Sequence, residues 1–331
     1  MPVGTYGAVK GLAVDRLEQL GAAIVLANTY HLWLRPGVET ISSLGGVHRF
    51  TGWKRAMLTD SGGFQVMSLS GIRKVREEGV EFRSHLDGSL HFLSPEESVR
   101  AQGAFGVDIA MVLDECIALP APREEVERAM ERTHRWAERS KKAWNGDGNL
   151  FGIVQGGTDR ELRLRSAARL TEIGFDGYAI GGLAVGEAKE AMDETVAATA
   201  AALPFDRPRY LMGVGTPEDI LRAVLAGVDM FDCVMPTRNA RNGTLFTSRG
   251  LVRIKRAEYA ADGEPLDPDC RCPTCARYSR AFLRHLYLAR DLTAPVLLTI
   301  HNVAFYLDFM ARIREAIASA ALPAFTKSWL K

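Results

Sequence analysis

Apolar residues fall into two alternating patterns along this chain. One is a short continuous run that ends in polar residues or glycine, at 1–7, 23–29, 56–60, 108–114, 150–155, 177–182, 209–214 and 230–234. Such runs predict strands buried on both faces, as in a parallel sheet covered by helices. The other is a longer segment with apolar residues recurring at helical spacing, at 15–20, 123–144, 160–173 and 189–203. In 123–144 the apolar face is Val126, Met130 and Ala137 on an otherwise charged helix. Helix boundaries are legible too. Ser94 predicts a cap, with Pro95 in the first position and Glu97 closing a capping box. Thr216-Pro217 opens a helix carrying Ile220, Leu221, Val224 and Leu225, and Gly227 ends it.

Two stretches depart from this alternation. Around 80–93, Val80, Phe82, Leu90 and Phe92 alternate with polar residues on either side of Asp87-Gly88, which predicts an inserted hairpin with a two-residue turn. Tyr306, Phe309, Met310, Ile313 and Ile317 recur at helical spacing and predict a C-terminal packing helix. Eight strands, mostly separated by helices, predict an α/β fold of the (β/α)8 TIM-barrel type, with a doubly wound open sheet as the alternative.

In a barrel the strand exits converge on one mouth. The residues there would be Asp60, Asp114, Gln155, Gly182, Met212 and Asp232. Each alone reads as a helix cap or loop residue, and Asp232 could also form an ion pair with Arg238 or Arg241. Three acids and an amide at one mouth ask for a further reason, because gathered like charges are costly.

Composition sharpens this picture in three ways. A chain of 331 residues with 47% hydrophobic and 24% charged residues is globular rather than disordered. Five cysteines, an odd number with three clustered, fit a reducing cytoplasm better than a disulfide framework. No apolar run approaches the length of a membrane span, and Met1-Pro2-Val3-Gly4 does not read as a signal peptide. Net charge is +1 but uneven, because 238–290 holds 11 Lys/Arg against 5 Asp/Glu. Within 238–256 there are six basic residues and no acid. That is either a solvated face or the footprint of a polyanion partner.

Cys270, Cys272 and Cys275 form Cys-x-Cys-x-x-Cys, and His301 follows a helix expected at 276–290. Three thiols and an imidazole fill a tetrahedral Zn2+ site with no open position, which makes the ion structural, one per chain. The expected organisation is a barrel over 1–243, an inserted basic and zinc-binding subdomain over 244–302, and a C-terminal helix over 303–331 packing on the barrel.

Taken together, Asp60-Ser61-Gly62-Gly63-Phe64-Gln65, Leu113-Asp114-Glu115-Cys116, Val154-Gln155-Gly156-Gly157, Gly181-Gly182-Leu183-Ala184-Val185-Gly186-Glu187, 231–243 and the cysteine cluster resemble bacterial tRNA-guanine transglycosylases along nearly the whole chain. The resemblance implies a zinc-bearing (β/α)8 barrel that exchanges wobble guanine of certain tRNAs for a 7-deazaguanine base, on the way to queuosine. It implies Asp232 as nucleophile and Asp60 as general acid/base. Asp114, Gln155 and the Gly182 backbone would read the base edge, and the Leu183 carbonyl would face the 7-substituent. Phe64 and Met212 would sandwich the base, and Arg238 and Arg241 would hold the anticodon loop.

The chemistry suits these residue types. Cleaving an N-glycosidic bond builds positive charge on the sugar, which a carboxylate can stabilise and trap. The departing base needs a second carboxyl in a different environment. No redox cofactor, nucleotide or catalytic metal is expected. By the same resemblance the chain forms a homodimer, and Val185 crowds queuine out in favour of 7-aminomethyl-7-deazaguanine. The family carries a further N-terminal segment, so the true start is expected upstream of Met1 or the chain is a shortened relative. A non-catalytic accessory subunit and a DNA-modifying relative are the alternatives. Asp60, Asp114 and Asp232 argue against the first, and the Arg238/Arg241 loop with its zinc module argues against the second.

Overall fold

The structure, a computed structural model, describes residues 1–69 and 73–330. Each of the eight predicted apolar runs overlaps one strand. These are Val3–Gly4, Ile24–Ala27, Ala56–Thr59, Ile109–Met111, Asn149–Val154, Gly177–Ile180, Arg209–Leu211 and Met230–Phe231. They pair in parallel in chain order to form one curled eight-stranded sheet. Pro2 forms an isolated parallel bridge to Cys233, beside the last strand. Continuous apolar character follows from burial on both faces: Leu58, Ile153, Val154, Ala179 and Ile180 are all fully buried.

Helices return the chain between strands where the caps place them. Ser94 Oγ accepts from the Glu97 amide at 3.1 Å and the Glu97 carboxylate accepts from the Ser94 amide at 3.1 Å, opening Pro95–Phe105. Asp159 caps Arg160–Ile173 and Thr216 caps Pro217–Leu225. Arg123–Ala143 buries Val126, Met130 and Ala137, as its periodicity predicts.

Three local expectations change. Val80–Arg83 pairs antiparallel with Leu90–Leu93, but Arg83 faces Leu90. Residues 84–89 therefore form the connection, and Asp87-Gly88 is its tip rather than a two-residue turn. Its Asp87 carboxylate binds the Ser89 amide at 3.1 Å, and Ser84 N donates to the Ser89 carbonyl at 2.8 Å. A third strand, Arg73–Val75, joins the pair. The helix expected at 276–290 starts only at Arg280, capped by Ser279, because 272–278 turns to direct the thiols inward. Around Pro236, where the proline and Gly243 predict a break into a turn, the chain forms a helix instead, Met235–Arg241. Proline is tolerated there because a first-turn N–H has no intrahelical acceptor to lose.

Thr244–Thr247 and Gly250–Arg253 form an antiparallel pair. Behind it runs Thr293–Ala318, a 26-residue helix that crosses 302–303 unbroken. By length and composition it could cross a membrane. However, thirteen of its residues are buried within the protein, among them His301, Phe309 and Ile313. Ile317, expected on the packing face, is half exposed.

Candidate active site and metal centre

Strand register gathers the exit residues. Ala27 pairs with Thr59, so the next residue of each strand, Asn28 and Asp60, also lie side by side. Asn28 Nδ2 donates to Asp60 Oδ2, and the amides of Thr29 and Gly62 donate to Oδ1 at 3.0 and 3.2 Å. The Asp60 side chain is nevertheless buried, and burial pushes its carboxyl up to about 6 against those hydrogen bonds.

Asp114 sits one loop away. Ser61 Oγ donates to its Oδ1 at 3.3 Å and Gln155 Nε2 to its Oδ2 at 2.7 Å. Burial also pushes Asp114 up to about 6. Gln155 in turn lies against Gly182, where a Cβ would fall 2.2 Å from Gln155 Oε1. Only glycine fits there, and its φ of +64° suits glycine as well. A Cβ on Gly181 would lie 3.7 Å from Met212 Sδ, which brings Met212 to the same wall.

Asp232 is half-buried. Tyr210 Oη donates to its Oδ1 at 2.5 Å and Gly213 N to the same oxygen at 2.8 Å. Oδ2 has no hydrogen bond among the described residues. Burial and then the Asp232 charge push the Tyr210 phenol well up, so it stays a donor, and it also feels the charge of Asp60. Among the described residues no ion pair joins Asp232 to Arg238 or Arg241. Both arginines lie on Met235–Arg241, just past Asp232, with Arg238 exposed. Arg241 is half-buried, and its Nη1 is enclosed without a hydrogen-bond partner among the described residues.

Phe64, in the first turn of Gly63–Leu69, is 52% exposed and has no ring partner among the described residues. Leu183 is buried at the start of a loop that Glu187 fastens by accepting from the amides of Ala184 and, at 3.0 Å, Val185.

Cys270, Cys272, Cys275 and His301 converge, with all four ligand atoms within 4.8 Å of one another. Phe246 O lies 2.8 Å from His301 Nε2, which makes Nε2 the donor and leaves Nδ1 as a lone pair. That nitrogen faces Cys275 Sγ at 3.3 Å and Cys272 Sγ at 3.7 Å. A backbone acceptor fixing the imidazole, with three thiols opposite, fits a metal ion held without an open position. The next residue, Asn302, donates to the Pro236 and Thr244 carbonyls at 2.9 and 3.1 Å and accepts from Phe246 N at 3.1 Å.

Sequence reasoning passed over Tyr210, Asn28 and Gln102 as site residues. Gln102, fully buried, bonds both the amide and the carbonyl of Met111 at 2.9 Å and accepts from Thr59 at 3.0 Å. It thereby ties the Asp60 strand to the Asp114 strand. The readable sign was two uncharged polar residues one turn apart, Ser98 and Gln102, on a helix face otherwise made of Val99, Ala101 and Phe105.

Fold and site together define a class: an α/β protein whose curled parallel sheet aims carboxyl groups from several strand exits at one place, with a Cys3His module behind the last. The model of the queuine tRNA-ribosyltransferase family matches residues 1–331. A queuine tRNA-ribosyltransferase of Caldanaerobacter subterraneus subsp. tengcongensis is 55% identical over 333 residues, covering 100% of this chain and 89% of that protein. Proteins of the same name from Thermodesulfovibrio yellowstonii and Koribacter versatilis are 54% and 56% identical, covering 100% and 96% of this chain and 87% and 86% of theirs. This chain belongs to the queuine tRNA-ribosyltransferase family.

Proposed function

We propose that this chain is a tRNA-guanine transglycosylase that exchanges guanine at the wobble position for 7-aminomethyl-7-deazaguanine, on the route to queuosine. The observation that carries the mechanism is the contrast among its carboxyls. Asp232 receives two donors on one oxygen and none on the other among the described residues, whereas Asp60 and Asp114 are enclosed and biased toward protonation.

In this reading Asp232 Oδ2 attacks C1′ of the target nucleotide as the bond to guanine N9 breaks. Tyr210 and the Gly213 amide hold the carboxylate in place. Asp60, held near 6, gives the departing guanine its proton. The incoming base returns a proton from its N9 to Asp60 and displaces Asp232 from C1′, which balances the cycle. Asp114, Gln155 and Gly182 read the base edge, Phe64 and Met212 flank its faces, and the Leu183 carbonyl accepts from the aminomethyl arm. The half-exposed Phe64 ring supports its part, because a stacking platform must be open before the base arrives. Arg238 and the partnerless Arg241 nitrogen bind phosphates of the anticodon loop.

The eight-stranded sheet is read as a closed (β/α)8 TIM barrel over 1–243, supported by the Pro2–Cys233 bridge. The antiparallel pair within 80–93 is the inserted hairpin. Residues 244–302 form the metal-binding subdomain and 303–331 the packing segment, the two sharing Thr293–Ala318. The ion is zinc, bound by Cys270, Cys272, Cys275 and His301, where it would supply a tetrahedral cross-link. The chain works in the cytoplasm as a homodimer serving one tRNA, supported by Phe282, 43% exposed and stacked on Tyr278 beside the metal module.

The test is base exchange into tRNA, with Asp232→Asn as control. The expected result is a denaturant-stable RNA adduct with the parent protein, none with Asp232→Asn, and unchanged tRNA binding. Absence of exchange by the parent protein would favour an accessory subunit, and exchange into duplex DNA would favour a DNA-modifying relative.

A further inference from the structure

Arg163 is fully buried, yet among the described residues no carboxylate is bonded to it. By helical spacing it stands with Ser166, Ala167 and Leu170 on the buried face of Arg160–Ile173, a face on which an arginine is out of place. Its guanidinium is spent on backbone. Nε donates to the Gly157 carbonyl at 2.7 Å, Nη1 to Val154 at 2.9 Å and Nη2 to Gly182 at 3.4 Å. Val154 and Gly157 bracket Gln155, and Gly182 abuts its side chain. One planar fork thus joins the exits of two adjacent strands around the carboxamide that binds Asp114.

A second contact works on the same residue from the same helix. The Gln155 amide donates to Ser166 Oγ at 3.2 Å, and Ser166 Oγ lies 2.9 Å from His134 Nε2. Burial, then the surrounding arginine charges, push His134 down to about 4, so a neutral imidazole shares one hydrogen bond with the Ser166 hydroxyl. Gln155 is therefore gripped at its own amide and at the carbonyls on either side of it. A buried cation is costly, and ordinary helix–sheet packing does not call for one.

We propose that Arg163, seconded by Ser166, is a positioning residue for base recognition, setting the Gln155 carboxamide and the Gly182 peptide at the spacing a purine edge requires. This rests on the reading of that pocket given under the proposed function. Lysine at 163 would keep the charge but lose the planar fork that spans three carbonyls.

The experiment measures guanine affinity by calorimetry, tRNA affinity by filter binding and guanine exchange by kinetics, for the parent protein, Arg163→Lys and Ser166→Ala. The expected outcome for Arg163→Lys is guanine affinity and KM weakened about ten-fold or more, with the Kd for tRNA unchanged. Ser166→Ala should shift the same two quantities by a smaller factor. A loss confined to thermal stability or active fraction, with guanine Kd unchanged, would overturn the proposal. Should Arg163→Lys not fold, an unchanged guanine Kd in Ser166→Ala would overturn it equally. A parent protein that binds guanine without exchanging it sinks the catalytic reading and leaves the positioning comparison to be decided by Kd. A parent that binds no guanine sinks both.

Discussion

Gly182→Ala is a sharp test of the base-reading wall, because its consequences can be worked from the structure. The added methyl carbon would stand 2.2 Å from Gln155 Oε1, whereas ordinary contact begins at 3.4 Å. Relief requires a movement of about 1.2 Å, the difference of those two distances. Gln155 cannot rotate away freely, since its Nε2 is committed to Asp114 at 2.7 Å. A displacement of that size along the bond would break it. Losing a hydrogen bond to a carboxyl group costs about 1.5–3 kcal/mol, or roughly 10- to 100-fold in guanine affinity. The φ of +64° adds about 1 kcal/mol of backbone strain to the folded state. Gly52→Ala separates the two effects. Its φ is +77°, with nothing within 4 Å of the added carbon. It should lose about 1 kcal/mol of stability and no guanine affinity. Calorimetric titration with guanine and thermal unfolding give both quantities. If Gly182→Ala binds guanine within two-fold of the parent, Gln155 and Gly182 do not form one recognition wall.

Other outcomes follow from charge, metal and shape. Asp60 and Asp114 are raised by burial from 3.8 to about 6, so between pH 4 and 6 the folded state keeps protons the unfolded chain has released. Their contribution to stability is greatest below pH 4, declines through that window and is level above it. The stability difference between Asp114→Asn and the parent should therefore move in favour of the variant from pH 4 to 6, as read by denaturant titration, and the opposite drift contradicts the assignment. Elemental analysis should find one zinc per chain, and its removal by a chelator should lower Tm and weaken tRNA binding together; full activity without metal excludes the module's role. Val185→Gly should let queuine compete with labelled guanine, where the parent protein responds only to 7-aminomethyl-7-deazaguanine; equal competition in the parent shows that Val185 does not set the limit.

The eight strands were legible because burial on both faces leaves an unbroken apolar run, and the starts of two helices because Ser94 and Thr216 act within four residues of where they stand. Convergence of Asp60, Asp114 and Gln155 followed from counting strand exits. The partners of those groups did not follow. Asn28 meets Asp60 through sheet register, and Tyr210 meets Asp232 across adjacent strands. Arg163 was passed over because its charge reads as solvated, although it stands at helical spacing with Ser166, Ala167 and Leu170. The Thr244–Thr247 pair was missed because only half of it faces apolar surroundings, Gly250 and Leu251 lying in solvent.

The consecutive pair His301 and Asn302 has a practical consequence for anyone rearranging this scaffold. The first residue belongs to the Cys3His cluster, while the second grips the carbonyl of Pro236, four positions beyond Asp232. No cut can be placed between chemistry and ballast here. A chimera that borrowed the cysteine loop from one homologue and the arginine helix from another would mismatch at a single peptide bond. Residues from Asp232 to the end of that long helix must be exchanged as one cassette, and libraries that recombine within it should yield mostly inactive chains.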